Sequence, residues 1–155
     1  MKRVVVTGMG AITPIGNNLE EYWKNLKNGV SGAAEITQFD ASKFKTQFAC
    51  EVKEYNPADY FERKEQRIYD KFTQFAIIAS NEAIEQSGAN FDELNRHRIG
   101  VIWGSGNGGM KTFHDEAAAF GAGDGTPRFN PYLIPKTLVD IAAGIISMRH
   151  GLHGV

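Results

Sequence analysis

The chain has 155 residues, and its 42% apolar and 23% charged content is that of an ordinary globular protein, which excludes wholesale disorder and a fibrous repeat. Seventeen basic residues against 18 acidic ones leave a formal net charge of −1, so no global field gathers nucleic acid or anionic lipid. A single cysteine, Cys50, excludes an internal disulfide framework and a multi-cysteine zinc site, and the apolar runs are far too short to span a membrane.

A chain of this length accommodates one domain with one core. Met1-Lys2-Arg3 leads directly into Val4-Val5-Val6 with no signal-peptide core and no cleavage site, which predicts a cytoplasmic protein. Lys2 to Thr7 is a β-branched run ended by Gly8-Met9-Gly10 and reads as a buried strand entering a turn. From Asn18 to Asn28 the residues Leu19, Tyr22, Trp23 and Leu26 recur at helical spacing. Asn18 and Glu21 stand at capping-box separation and Gly29 supplies a stop, so a helix is predicted there. Phe48, Cys50 and Val52 alternate with Ala49, Glu51 and Lys53, a period of two that predicts a half-buried strand with Cys50 on its inner face.

Phe72, Phe75, Ala76, Ala79, Ala83 and Ile84 form an apolar stripe on a predicted helix from about Gln66 to Gln86, closed by Gly88. Ile99 to Trp103 is a second predicted buried strand, entering the turn Gly104-Ser105-Gly106-Asn107-Gly108-Gly109, and a helix is predicted from Met110 to Phe120. After a polar loop through Thr126 comes Pro131 to Pro135. The last predicted helix, Leu138 to Arg149, turns Leu138, Ile141, Ala142 and Ile145 one way, and Ala142-Ala143-Gly144 suits close approach to a neighbour. Strands alternating with helices predict an α/β fold.

Four features carry chemical meaning. Gly104, Gly106 and Gly109 satisfy the G-x-G-x-x-G spacing between a predicted strand and helix, so a dinucleotide-binding turn is one reading. The acidic residue about 20 positions on, Asp124, lies in a loop with no strand to aim it at a ribose, and a plain tight turn is the competing reading. Arg63, Lys64, Arg67 and Lys71 fall on one face of a helix, either as a solvated stripe or as a dock for an acidic partner. His150 and His153 stand at a predicted helix end without further ligands, so no metal site is expected, and His97 and His114 read as surface residues. Cys50 reads as a small core residue and not as a nucleophile.

The block from Val4 to Gly16, VVVTGMGAITPIG, resembles the opening of the β-ketoacyl-acyl-carrier-protein synthases, condensing enzymes of the thiolase fold, and their elongating synthase II type above all. The resemblance continues in family order through Gly29-Val30-Ser31-Gly32, Arg63-Lys64-Glu65-Gln66-Arg67, the turn from Gly104 to Gly109, Pro127-Arg128-Phe129-Asn130-Pro131, and Gly151-Leu152-His153-Gly154. It implies the amino-terminal half of the thiolase-like layered fold, a mixed sheet covered by helices, with residues 1–155 forming an amino-terminal ketosynthase domain incomplete at its carboxyl end. It further implies a homodimer whose acyl substrates arrive on the phosphopantetheine of acyl carrier protein, without a bound cofactor.

By this resemblance Lys64, Arg67 and Arg128 occupy carrier-binding positions, while Asn107 and Leu133 occupy positions at the acyl pocket or dimer interface. Elongating members commonly place isoleucine where Asn107 stands, further lysines where Ile68 and Phe129 stand, and proline where Val155 stands. The family's nucleophilic cysteine lies a few residues beyond the segment matching Gly151 to Val155, and its histidines come later still, so no catalytic residue is assigned to this chain. A non-catalytic, carrier-binding accessory subunit is the alternative from a different functional class.

Overall fold

The computed structural model describes residues 3–154. Their elements in chain order are α1 (Leu19–Lys27), β1 (Ala34–Glu35), β2 (Phe48–Ala49), α2 (Arg63–Ile68), α3 (Lys71–Ser87), α4 (Met110–Ala122), α5 (Leu133–Thr137) and α6 (Ile141–His150), with 3-10 turns at Pro57–Asp59 and Arg96–Arg98. The chain divides into two compact units, Met1–Asn56 with Ile78–Gly88, and Pro57–Ile77 with Ala89–Val155.

In the first unit, the Asn18 side chain accepts the Glu21 N–H and starts α1 as its spacing predicts. Glu21 reaches back to the N–H of Asn17 and not to that of Asn18, so the reciprocal half of the box falls one residue earlier. Gly29, at φ +67°, ends the helix in the left-handed region that glycine enters without penalty. β1 and β2 form an antiparallel pair with Ala34 opposite Ala49 and Glu35 opposite Phe48. The segment from Met9 to Leu19 is pinned to the carboxyl-terminal part of α3. Gly8 and Gly10 come so close that an added Cβ would lie 2.0 Å from the carbonyl oxygens of Ala83 and Ala79 respectively. Glu82 accepts the N–H of Ala11 at 2.8 Å and that of Leu19 at 2.7 Å, and Gln86 accepts the N–H of Met9 at 2.7 Å.

The core of the second unit is built from Phe61, Ala76, Ile77, Ala142, Ile145, Ile146 and Leu152. α6 ends on Gly151 at φ +62°, and the Leu152 N–H returns to the Ser147 carbonyl at 2.9 Å, the six-to-one closure that satisfies an end-of-helix carbonyl. α4 runs two residues past its predicted end and packs on α5. α5 is a five-residue helix absent from the sequence expectation, and its Pro135 sits in the first turn, where no intrahelical N–H is required.

Several expectations are corrected. The predicted strands at Lys2 to Thr7 and Ile99 to Trp103 join no ladder among the described residues; Lys2 itself lies outside them. Val4 and Ile102 are 92% and 100% exposed; the Ile99 carbonyl accepts the Gly154 N–H at 2.9 Å, but no strand among the described residues lies alongside either segment to continue a ladder. Residues 99 to 106 nevertheless alternate between half-buried and exposed positions. The predicted helix from Gln66 to Gln86 is two helices, broken where Tyr69 turns extended at φ −89°, ψ 131° and the Asp70 carboxylate accepts the Phe72 N–H. Cys50 is exposed, because β2 ends at Ala49 and Ala49 is the less exposed member of the pair. Leu138 caps α5 and is exposed instead of belonging to α6, and Gly144 faces open space with no neighbour within 4 Å of an added Cβ.

Candidate functional site: a cationic helix and a glycine turn

The two stretches singled out in the sequence both lie in the second unit. α2 presents Arg63, Lys64 and Arg67 to solvent, and none of the three forms an ion pair or side-chain hydrogen bond among the described residues. Lys71 belongs to α3, so the predicted four-residue stripe is a three-residue stripe on α2 followed by a cation on the next helix. The acid on the same short helix, Glu65, is directed elsewhere. Its Oε1 receives Arg149 Nη1 at 2.5 Å and its Oε2 receives the Glu62 N–H at 3.2 Å. Burial draws the Arg149 pKa down, but the hydrogen bond and charge of Glu65, with a hydrogen bond to Tyr69, outweigh it and hold the guanidinium above its ordinary value. Among the described residues the α2 cations are therefore left without counter-ions.

Arg128, the third expected carrier-contacting cation, lies in the loop after α4 and is exposed. It pairs at 3.2 Å with Asp124, whose carboxyl is held below its ordinary value first by the Thr126 N–H it accepts. Arg128 thus lies on a different segment from Lys64 and Arg67, which belong to α2. An exposed pair of this kind contributes little to stability, and Arg128 exchanges partners at little cost.

The glycine turn has two unlike halves. An added Cβ at Gly108 would lie 2.2 Å from the Thr137 carbonyl oxygen, and one at Gly109 would lie 2.1 Å from the Lys136 carbonyl oxygen. Gly104 and Gly106 have nothing within 4 Å. Asn107 is exposed at the junction between these halves, and Leu133 is half-buried at the start of α5. The Thr112 hydroxyl donates to Asp70 Oδ2, and the same carboxylate oxygen lies 2.9 Å from where a Cβ on Gly109 would stand.

This geometry overturns the dinucleotide reading. A pyrophosphate would need the amino-terminal turn of α4, which the Asp70 carboxylate already occupies and would repel. The first two glycines of the fingerprint lie free of any close packing, and the segment before them is not in a sheet.

Elsewhere in the first unit, Leu19, Tyr22, Trp23 and Leu26 of α1 line an open groove of about 750 Å³ with Met9, Glu82 and Glu85. Glu82 is committed to the backbone N–H groups of Ala11 and Leu19, so the groove offers apolar surface and no nucleophile with an oriented base. His97 and His153 are exposed and stand with ring centroids 5.3 Å apart, a pairing across 56 positions that the sequence does not announce. Among the described residues no group of three or more His, Cys, Asp or Glu residues is placed to hold a metal ion. No helix of the described residues is long and apolar enough to cross a membrane.

Comparison with known proteins bears on these features. Residues 1–155 match the family model described as Beta-ketoacyl synthase, N-terminal domain. The chain is 41% identical over 153 residues to the 3-oxoacyl-[acyl-carrier-protein] synthase 2 of Synechocystis sp., covering 99% of this chain and 36% of that protein. It is 42% identical over 154 residues to the enzyme of the same name from Staphylococcus aureus, covering 99% of this chain and 37% of that one.

Among solved structures, the chain is similar to one chain of a type II PKS acyl-carrier protein in complex with its ketosynthase bound to the hexaketide. The TM-score is 0.79 at 26% identity, over 99% of this chain and 41% of that one. A beta-ketoacyl synthase from Burkholderia phymatum shares the fold, with a TM-score of 0.78 at 24% identity over 100% of this chain and 38% of that one. The architecture is thus that of the amino-terminal part of the thiolase-like ketosynthases. The chain spans 36–37% of the length of the curated relatives it matches. It belongs to the beta-ketoacyl synthase family, as its N-terminal domain.

Proposed function

We propose that this chain is the scaffold and carrier-docking portion of a 3-oxoacyl-[acyl-carrier-protein] synthase 2 acting in fatty acid biosynthesis. The observation that carries the reading is the exposed set Arg63, Lys64 and Arg67 on α2, unpaired among the described residues, in a chain whose whole length matches this family. An acyl carrier protein is the partner, met on Lys64 and Arg67 with Arg128 as a second contact. A ketosynthase solved with its acyl-carrier protein is among the structures this chain resembles. Long cations on a solvent-facing helix attract an acidic partner through complementary potential and raise the encounter rate most at low salt.

In the complete enzyme, an acyl group passes from the carrier's phosphopantetheine thioester to a cysteine thiolate, releasing the carrier thiol. Malonyl-carrier protein then loses carbon dioxide, and its carbanion attacks the acyl-enzyme, expelling the cysteine thiolate and forming a 3-oxoacyl product two carbons longer. Cys50, exposed beyond β2, has no oriented base among the described residues and takes no part. Asn107 and Leu133 contribute to the acyl pocket or to the surface shared by two copies in a cytoplasmic homodimer.

The test is titration of the 155-residue chain with a phosphopantetheinylated acyl carrier protein at low and high salt. Lys64→Glu with Arg67→Glu is expected to weaken association about tenfold or more at low salt while leaving the thermal midpoint within about 2 °C, as exposed charges do. Unchanged affinity in that variant removes the docking assignment.

A further inference from the structure

Resting on the carrier-docking reading, the geometry points to Arg149 as a positioning residue of the dock: through Glu65 it fixes the rotation of α2 about its own axis, so that Lys64 and Arg67 face outward.

α2 has only six residues, well below the length at which a helix holds its shape in water unaided. Its orientation comes from what it touches. Gln66 donates to the Phe61 carbonyl at 2.7 Å, and the buried Phe61 ring meets Tyr69 edge-on at 6.2 Å, which secures the two ends. The middle is held by Glu65, 84 positions from Arg149 and joined to it at 2.5 Å.

At about 100° per residue, Glu65 points roughly 160° away from both Arg63 and Arg67, on the side of the helix opposite these cations. Pulling on Glu65 therefore turns Arg63 and Arg67 toward solvent, with Lys64 beside them. The pair is also better sheltered than the other ion pairs described: its side chains are 32% and 27% exposed, against 37% to 86% for the remaining three. Shelter reduces screening by solvent and salt, so this contact persists where surface pairs fade. Both Glu65 oxygens are used, one on Arg149 and one on the Glu62 N–H, which locks the side chain as well as the helix.

Charge and position are separable by one substitution. Glu65→Arg adds positive charge to the dock but sets two guanidiniums against each other. If Arg149 acts by positioning, Glu65→Arg binds a phosphopantetheinylated acyl carrier protein about three- to tenfold more weakly than the parent at low salt. Hydrogen exchange at the α2 amides then accelerates about tenfold. Arg149→Gln gives losses of the same order. The charge swap Glu65→Arg with Arg149→Glu, which keeps the net charge and restores the pair, returns affinity to within about threefold of the parent.

Tighter binding by Glu65→Arg would show that the dock responds to summed charge alone and overturns the proposal. So does unchanged α2 exchange in Arg149→Gln. If the parent chain itself fails to bind the carrier at low salt, the docking reading fails and this inference with it. If the parent binds but none of the three variants differs from it, this inference alone fails.

Discussion

Replacing Glu82 with alanine tests how the loop that carries the family's opening block is held. The Glu82 carboxylate takes the Leu19 N–H at 2.7 Å on one oxygen and the Ala11 N–H at 2.8 Å on the other, both in a partly buried setting. Hydrogen bonds to a charged acceptor contribute roughly 1.5–3 kcal/mol each, and partial access of water to the freed N–H groups favours the low end. The variant is therefore expected to lose about 2–4 kcal/mol, a large share of the 5–15 kcal/mol typical of a folded domain. Urea unfolding followed by far-UV circular dichroism measures it. Glu85→Ala, which removes from the same helix an exposed carboxylate with no side-chain hydrogen bond among the described residues, should stay within about 0.5 kcal/mol of the parent. Hydrogen exchange gives a local check, since the Ala11 and Leu19 amides should lose protection first. Equal destabilisation by Glu82→Ala and Glu85→Ala, or unchanged protection of those amides, would refute the reasoning.

Three further outcomes are expected. Gly10→Ala places a methyl 2.0 Å from a backbone oxygen that cannot yield and should cost about 1–3 kcal/mol or more, whereas Gly144→Ala, in open space inside α6, should add about 1 kcal/mol; thermal melts of both variants give the sign. Thr73 is 1% exposed and its hydroxyl finds no hydrogen-bond partner among the described residues, so Thr73→Val should raise the urea midpoint by an amount equivalent to about 1 kcal/mol. His150 is held below its ordinary pKa, first by burial and then by the charge of Arg149. The unfolded chain thus binds its proton more tightly, and the stability this group contributes is present above about pH 6.5 and lost as pH falls through the lower folded value. An NMR titration placing the His150 ring at or above the ordinary histidine range contradicts this, and Arg149→Gln should raise its value only partly, because burial remains.

The helices were legible where local chemistry decides them. Asn18 and Gly29 mark α1 because a cap and a left-handed glycine act within one turn. The break between α2 and α3 contains neither Gly nor Pro, and its one signal was Asp70, a residue suited to capping the helix that follows. The apolar run Ile99 to Trp103 suggests a buried strand, but a ladder depends on a distant partner that no local pattern reveals. Alternation does not say which face is inner, so the period of two around Cys50 leaves its side undetermined, and the structure exposes it. For the site, the exposure of Lys64 and Arg67 followed from helical spacing, while the Glu65–Arg149 pair, 84 positions apart, and the Asp70 carboxylate against α4 are products of tertiary folding alone.

The uneven packing of the glycine turn divides it into a fixed root and a free tip. Gly108 and Gly109 are wedged against the carbonyls at the end of α5, whereas an added Cβ at Gly104 or Gly106 would meet no atom within 4 Å among the described residues. Side chains of different bulk can therefore be exchanged at position 107 without displacing the start of α4, so the tip varies while its anchorage stays as it is.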